Sequence, residues 1–353
     1  MSDLISLLPN GAHYRKLLHR RDAMRIAGVG TLGLTLPFCG PGLANTKTTD
    51  HTATAKNCIY IFLCGGPSQL DMWDPKPEAP AEIRGPIQSI ESTVPGIRLG
   101  EVLPNVAKHA DKMAIIRSMT HDSNSHDIGI LYTLLADSHP PTKLAYPPAR
   151  SDHPGLGAIL RTLLGEQSKL PAWVTVPRPF TTGKRFYKGQ AGGFLGPGYD
   201  PFFLDEEKND SLADKPFRLP ALDLTDGMTK SRLASRQTLL GKSNAESSIE
   251  SGATRQFEQY SDKAYSMLSA AGASQAFDLD REPKQLRDQY GRNEYGQSFL
   301  MARRLVEAGV RMVNVFWTFY GKDGCQFNLW DNHGSDKKVC GGYNKGIDML
   351  RAP

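Results

Sequence analysis

The sequence predicts an α/β protein built on a doubly wound, mainly parallel sheet. The first observation is a set of apolar runs without strict alternation, which is typical of strands that helices cover on both faces. The second is that helical segments separate these runs, and the third is that polar residues, glycine or proline end them. The runs predicted as strands are Cys58–Cys64, Met113–Met119, Trp173–Val176 and the segment VRMVNVFWTF from Val310.

Two aspartates follow the first predicted strand. Cys58–Cys64 stops at Gly65–Pro67, whose glycines permit turn conformations and whose proline fixes φ, and Asp71 and Asp74 follow. Ligands of open α/β sheets bind outside the carboxyl ends of the strands, so Asp71 is a candidate site residue. The alternative is that Asp71 or Asp74 only caps a turn.

A second polar segment follows the predicted strand Met113–Met119, which a short helix over 104–110 precedes. Residues 120–127, THDSNSHD, lead into a helix predicted over 128–136, whose first turn would present free N–H groups to an anion. The alternative for each of these polar residues is helix capping. The candidate site residues are His121, Asp122, Ser125, His126 and Asp127.

The later elements follow in order. The segment HPGLGAILRTLL has helical spacing, and the glycine-rich stretch 181–203 resembles an excursion over the sheet. Residues 205–290 are polar and predict a helical segment inserted into the α/β unit. Tyr295–Ala308 predicts a helix that Gly309 ends before the last apolar run.

An aspartate and a histidine, Asp331 and His333, stand two apart beyond the last strand. Carboxylate and imidazole together suit Zn²⁺, Mn²⁺ or Fe²⁺, although a capping aspartate beside an exposed histidine is a common alternative. Asp71, the cluster at 122–127 and this pair each follow a predicted strand. A parallel sheet would therefore bring the three sets to one edge.

Composition and the N-terminal residues limit the partners. A formal net charge of +5 over 353 residues, with no dense basic stripe, argues against nucleic acid. The pair Arg20-Arg21 precedes the weakly apolar stretch Ile26–Phe38, which is too short for a permanent transmembrane helix. Residues 1–44 therefore resemble a twin-arginine export signal, with an amphipathic helix as the alternative. We expect the export machinery as a partner and a periplasmic or extracellular location for residues 45–353.

Cysteine spacing gives two expectations. Cys58 and Cys64 lie on one predicted strand, roughly 20 Å apart by strand rise, and cannot bridge each other. Cys325 and Cys340 flank a loop-like segment and could form a disulfide.

Seven blocks occur in a fixed order along the chain: GGPSQLDMWDPKPEAPAEIRG, LPNVAKHADKMAIIRSMTH, HPGLGAIL, LGPGYDPF, AFDLDREP, GQSFLMARRLVEAGVRMVNV and WDNHG. Together they resemble the bacterial family known as domain of unknown function 1501, over residues 15 to 353. That family is similar in turn to the alkaline phosphatase and sulfatase superfamily, which implies a doubly wound sheet and a metal cluster that hydrolyses phosphate or sulfate esters.

The resemblance implies roles for individual residues. Asp71, His126, Asp331 and His333 would bind a divalent metal, whether zinc, manganese, iron or calcium, and Ser125 or a metal-bound water would be the nucleophile. The substrate would be a phosphate or sulfate ester of a small molecule or glycan. The family pattern continues past the Asp-x-His loop, so we expect a truncated chain with an incomplete sheet and an incomplete set of ligands. The alternative is a non-catalytic binding or structural protein of the cell envelope that retains the fold.

Overall fold

The computed structural model describes residues 54–85, 87–135, 147–182, 185–204, 227–246, 252–269, 272–317, 319–320 and 326–327. Its strands are β1 (Cys58–Leu63), β2 (Ser89–Glu91), β3 (Arg98–Gly100), β4 (Trp173–Val176), β5 (Thr181–Thr182), β6 (Arg185–Phe186), β7 (Phe202–Phe203), β8 (Met312–Trp317), β9 (Phe319–Tyr320) and β10 (Gln326–Phe327). Its α-helices are α1 (Gln69–Met72), α2 (Ala81–Arg84), α3 (Pro104–Ala107), α4 (His126–Leu135), α5 (Leu156–Leu164), α6 (Lys230–Glu246), α7 (Gly252–Ser269), α8 (Ala273–Phe277), α9 (Lys284–Tyr290) and α10 (Glu294–Glu307).

The main sheet is parallel and has the order β1-β8-β4-β7. Met312, at the start of β8, pairs with Cys58 on one side and with Trp173 on the other. The three two-stranded pairs β2-β3, β5-β6 and β9-β10 are antiparallel. The prediction of an α/β fold with a mainly parallel sheet is therefore confirmed for the described residues.

Helices pack against both faces of the central strands β4 and β8. On one face, α8 and α10 contribute Phe277, Leu300 and Leu305 to a core that includes Val313 and Val315 of β8. Asn293 caps α10 by accepting hydrogen bonds from two backbone N–H groups, which fixes where that helix begins.

On the opposite face, α4 and α5 pack against the intervening strand residues, whose side chains alternate with those of the first face. Leu131 and Leu134 of α4 contact the aromatic cluster of Phe180 and Phe316. Trp173 packs against α5, where a Cβ added to Gly157 would lie 2.1 Å from the indole ring. Glycine is therefore required for this close approach of α5 to β4.

Two predictions about strands are wrong. β1 is the edge strand of the main sheet among the described residues, and Ile59 and Ile61 are 39% and 47% exposed, so it is not covered on both faces. Met113–Met119 is not a strand, and Ile116 and Met119 are 69% and 77% exposed. The segment is held instead beside α1, because Gln69 donates a 3.2 Å hydrogen bond to the Arg117 carbonyl.

One excursion is more ordered than its composition predicts. Phe202–Phe203 forms β7 and completes the described sheet on the far side of β4. Gln190, which is 1% exposed, exchanges two 2.7 Å hydrogen bonds with the backbone N–H and C=O of Phe180. The buried Gln190 amide thus pairs with the backbone of Phe180 as a neighbouring strand would, and it holds the segment 181–203 against the residues that follow β4.

Helices α6 to α9 lie within the segment 205–290 that was predicted to be a helical insertion, of which 205–226, 247–251 and 270–271 fall outside the described residues. The predicted export signal at 1–44, the possible Cys325–Cys340 disulfide and the ligand pair Asp331 and His333 also lie outside them. Cys58 and Cys64 are not joined by a disulfide, as their spacing predicts.

Candidate functional site

Two helices, α4 and α10, begin at the carboxyl edge of the main sheet, where the parallel strands end. α4 runs antiparallel to β1. Thr133, late in α4, accepts a 3.3 Å hydrogen bond from Tyr60 of β1, whereas Asp127, in its first turn, accepts one from Tyr187, which stacks on Phe180 beyond the end of β4. α10 precedes β8 directly and runs antiparallel to it, so that Phe299 contacts Trp317 with ring centroids 5.0 Å apart. The first turns of both helices therefore lie at the edge where ligands of such sheets bind.

Asp71 lies just past β1, in the short helix α1, and is half-buried. Its backbone is fixed by β3, since a Cβ on Gly100 would lie 1.8 Å from the Asp71 carbonyl oxygen. Its carboxylate extends toward Gly85, where an added Cβ would be 3.4 Å from Oδ1. Two glycines thus leave the space in which Asp71 sits at the rim of the sheet.

Asp74, the second carboxylate after β1, is committed to neighbouring cations. It is 6% exposed, accepts a 2.5 Å hydrogen bond from Lys76 and a 3.2 Å hydrogen bond from Gln69, and forms a 3.2 Å ion pair with Arg117. The hydrogen bond from Lys76 is the largest cause that lowers the pKa of Asp74. The hydrogen bond from Gln69 and the positive charge of Arg117 lower it further, whereas burial opposes them. The geometry gives Asp74 a structural role in this loop.

The polar cluster at the start of α4 divides into exposed and anchored members. Ser125 and His126 are exposed at the first turn, and the Ser125 carbonyl accepts a 2.9 Å hydrogen bond from Gly129 N–H. Asp127 is half-buried and accepts a 2.6 Å hydrogen bond from the Tyr187 hydroxyl. His121 stacks on Tyr132 at 5.0 Å between ring centroids.

A partly buried ion pair at the same edge was not expected from the sequence. Arg178 follows β4 and lies 3.5 Å from Glu294, the first residue of α10, with side chains only 22% and 12% exposed. Burial raises the pKa of Glu294, and Arg178 partly offsets this increase. No motif signals the pair, because its members are 116 residues apart.

The predicted ligands are only partly within the described residues. Asp71 and His126 lie at the carboxyl edge, and their carboxylate and imidazole are suitable donors for a divalent metal. Within the ranges that the structure describes, no group of three or more His, Cys, Asp or Glu side chains is placed to hold a metal ion. The metal roles of all four residues therefore stay predictions.

Comparison with protein families identifies the family of the chain. The family model "Protein of unknown function (DUF1501)" matches residues 55–350, so this α/β chain belongs to that family. No curated protein and no solved structure matches the chain. Among the described residues, no helix has the length and apolar character needed to cross a membrane.

Proposed function

We propose that this chain is an exported, metal-dependent ester hydrolase of alkaline phosphatase type. Its substrate would be a phosphate or sulfate ester of a small molecule or glycan, met in the periplasm or outside the cell. The observation that carries the proposal is the carboxyl edge of the sheet, where α1, just past β1, carries Asp71, and where Ser125 and His126 lie at the start of α4.

In this proposal Asp71, His126, Asp331 and His333 bind a divalent metal. A bound metal would neutralise charge on the ester oxygens. Ser125 is the proposed nucleophile, since its hydroxyl is exposed beside the first turn of α4. The free N–H groups of that turn add a partial positive charge, which favours an anionic group at this position.

A non-catalytic role in the cell envelope is the second candidate. Two other acidic residues near this edge are already paired with basic side chains, which favours this role. Asp74 forms ion pairs with Lys76 and Arg117. Glu294 forms one with Arg178. The first arrangement stabilises the loop after α1, and the second joins the start of α10 to the segment after β4. An edge organised for stability in this way also suits a protein that retains the fold without the chemistry.

Turnover of aryl phosphate and aryl sulfate by the purified chain separates the two candidates. We expect turnover that chelation abolishes and that Asp71→Asn and Ser125→Ala each reduce at least about 100-fold. Matched controls are Asp262→Asn and Ser118→Ala, which change exposed residues of α7 and of the segment beside α1. If neither the aryl phosphate nor the aryl sulfate is hydrolysed, the result would contradict the hydrolase proposal and favour the envelope role.

A further inference from the structure

Two buried polar side chains face each other across the two central strands. Thr175 of β4 and Asn314 of β8 are register partners, so both side chains lie on the same face of the sheet. They are 0% and 3% exposed. Neither Thr175 Oγ1 nor Asn314 Oδ1 has a hydrogen-bond partner among the residues that the structure describes.

The same face supplies a third polar atom of complementary character. Trp173 lies two residues before Thr175, and its Nε1 is also buried without a partner in the described part of the chain. Tyr60 completes the row on the other side of Asn314, and its hydroxyl donates to the Thr133 carbonyl of α4. The row thus offers an indole donor, a hydroxyl that can donate and accept, and an amide oxygen that accepts.

Apolar side chains border this polar row on both sides along the strands. Phe180 and Phe316 stack at 5.6 Å toward the carboxyl edge, and Met312 packs with Ala158 toward the other end. Most buried polar groups in proteins are hydrogen-bonded, and leaving one unpaired in such an apolar layer is costly. A water molecule needs two to four polar partners, which this row can provide.

We propose that an ordered water molecule binds between β4, β8 and the helices that cover this face. It donates to Asn314 Oδ1, shares a hydrogen bond with Thr175 Oγ1, and accepts from Trp173 Nε1. This internal site is independent of the proposed hydrolase activity. It also favours one register of the central strands, because a shift of one residue would move Thr175 or Asn314 to the opposite face and away from its partner.

A crystal structure of the full chain tests the site directly. We expect electron density for a water oxygen within about 2.7–3.2 Å of both Thr175 Oγ1 and Asn314 Oδ1. A direct hydrogen bond between these two side chains, or an absence of density beside them, would overturn the proposal.

The melting temperature of Thr175→Val provides a second test whose sign is decisive. If water binds, the substitution removes one of its hydrogen-bond partners and weakens its hold on Asn314, and Tm falls by about 2–4 °C. If Thr175 Oγ1 is dry, removing an unpaired buried hydroxyl raises Tm, which would contradict the proposal. Thr238→Val, exposed on α6, is the matched control and should change Tm by less than about 1 °C.

Discussion

The hydroxyl of Tyr187 donates a 2.6 Å hydrogen bond to Oδ1 of Asp127, across 60 residues of sequence. Tyr187 is 4% exposed and stacks on Phe180 at 4.8 Å, so its ring is held rigidly. Asp127 lies in the first turn of α4, beside Ser125 and His126. The excursion after β4 therefore fixes the start of the helix that carries two of the proposed site residues.

Tyr187→Phe should lower the free energy of unfolding by about 1–2 kcal/mol, because it removes a hydrogen bond to a partly buried carboxylate. Urea denaturation followed by circular dichroism measures the change. The control is Tyr199→Phe, which keeps the ring that packs 4.9 Å from the Arg161 guanidinium carbon. Equal losses in the two variants would contradict a specific contribution from the Tyr187 hydroxyl.

Asp74→Asn should reduce stability at neutral pH. Because the folded-state pKa of Asp74 lies below its ordinary 3.8, the carboxylate contributes stability above that value and loses it as pH falls through the folded pKa. We expect a loss of about 1–2 kcal/mol, since Arg117 and Lys76 are 34% and 49% exposed and can be rehydrated. Unfolding free energies at neutral and acidic pH test this, and a difference from wild type that does not shrink at low pH would contradict it.

Glu294 should give the opposite pH dependence. Burial raises its folded-state pKa above the ordinary 4.5, so its favourable contribution is present below that value and is lost as pH rises through the folded pKa. Melting temperatures between a pH of about 4 and 8 should show this decline in the wild type and lack it in Glu294→Gln. The same decline in both proteins would show that another group causes it.

Gly100→Ala should displace α1 and with it Asp71, because the new Cβ would lie 1.8 Å from the Asp71 carbonyl oxygen. We expect a loss of about 1–3 kcal/mol in unfolding free energy. Gly241→Ala is the control: it is in the helix α6 with no atom within 4 Å of its added Cβ, and should stabilise by about 0.5–1 kcal/mol. If Gly100→Ala retains wild-type stability, the close approach of β3 and α1 is not required.

The sequence predicted the elements whose signals are local. β4 matches the predicted Trp173–Val176 strand, and α10 begins one residue before its predicted start at Tyr295. Both have dense apolar patterns with clear terminators. The Met113–Met119 prediction failed because an apolar run specifies burial only if a partner is available, and this segment contacts α1 through Arg117 instead.

The candidate site was predictable only in part for a related reason. Asp71 could be singled out because it follows a glycine- and proline-terminated strand. The ion pair between Arg178 and Glu294 and the contact between Tyr187 and Asp127 depend on how the chain returns to the same edge. Side chains so far apart in sequence share no periodicity, and the topology of the sheet alone brings them together.

Elemental analysis of the purified chain after dialysis tests the central claim most directly, because a metal held at the carboxyl edge is what the hydrolase proposal requires. Asp262→Asn, exposed on α7, is the matched control for Asp71→Asn. The account predicts that the wild type and the control retain a stoichiometric divalent metal and that Asp71→Asn loses most of it. A metal-free wild type, or an Asp71→Asn variant that retains as much metal as the control, would contradict it.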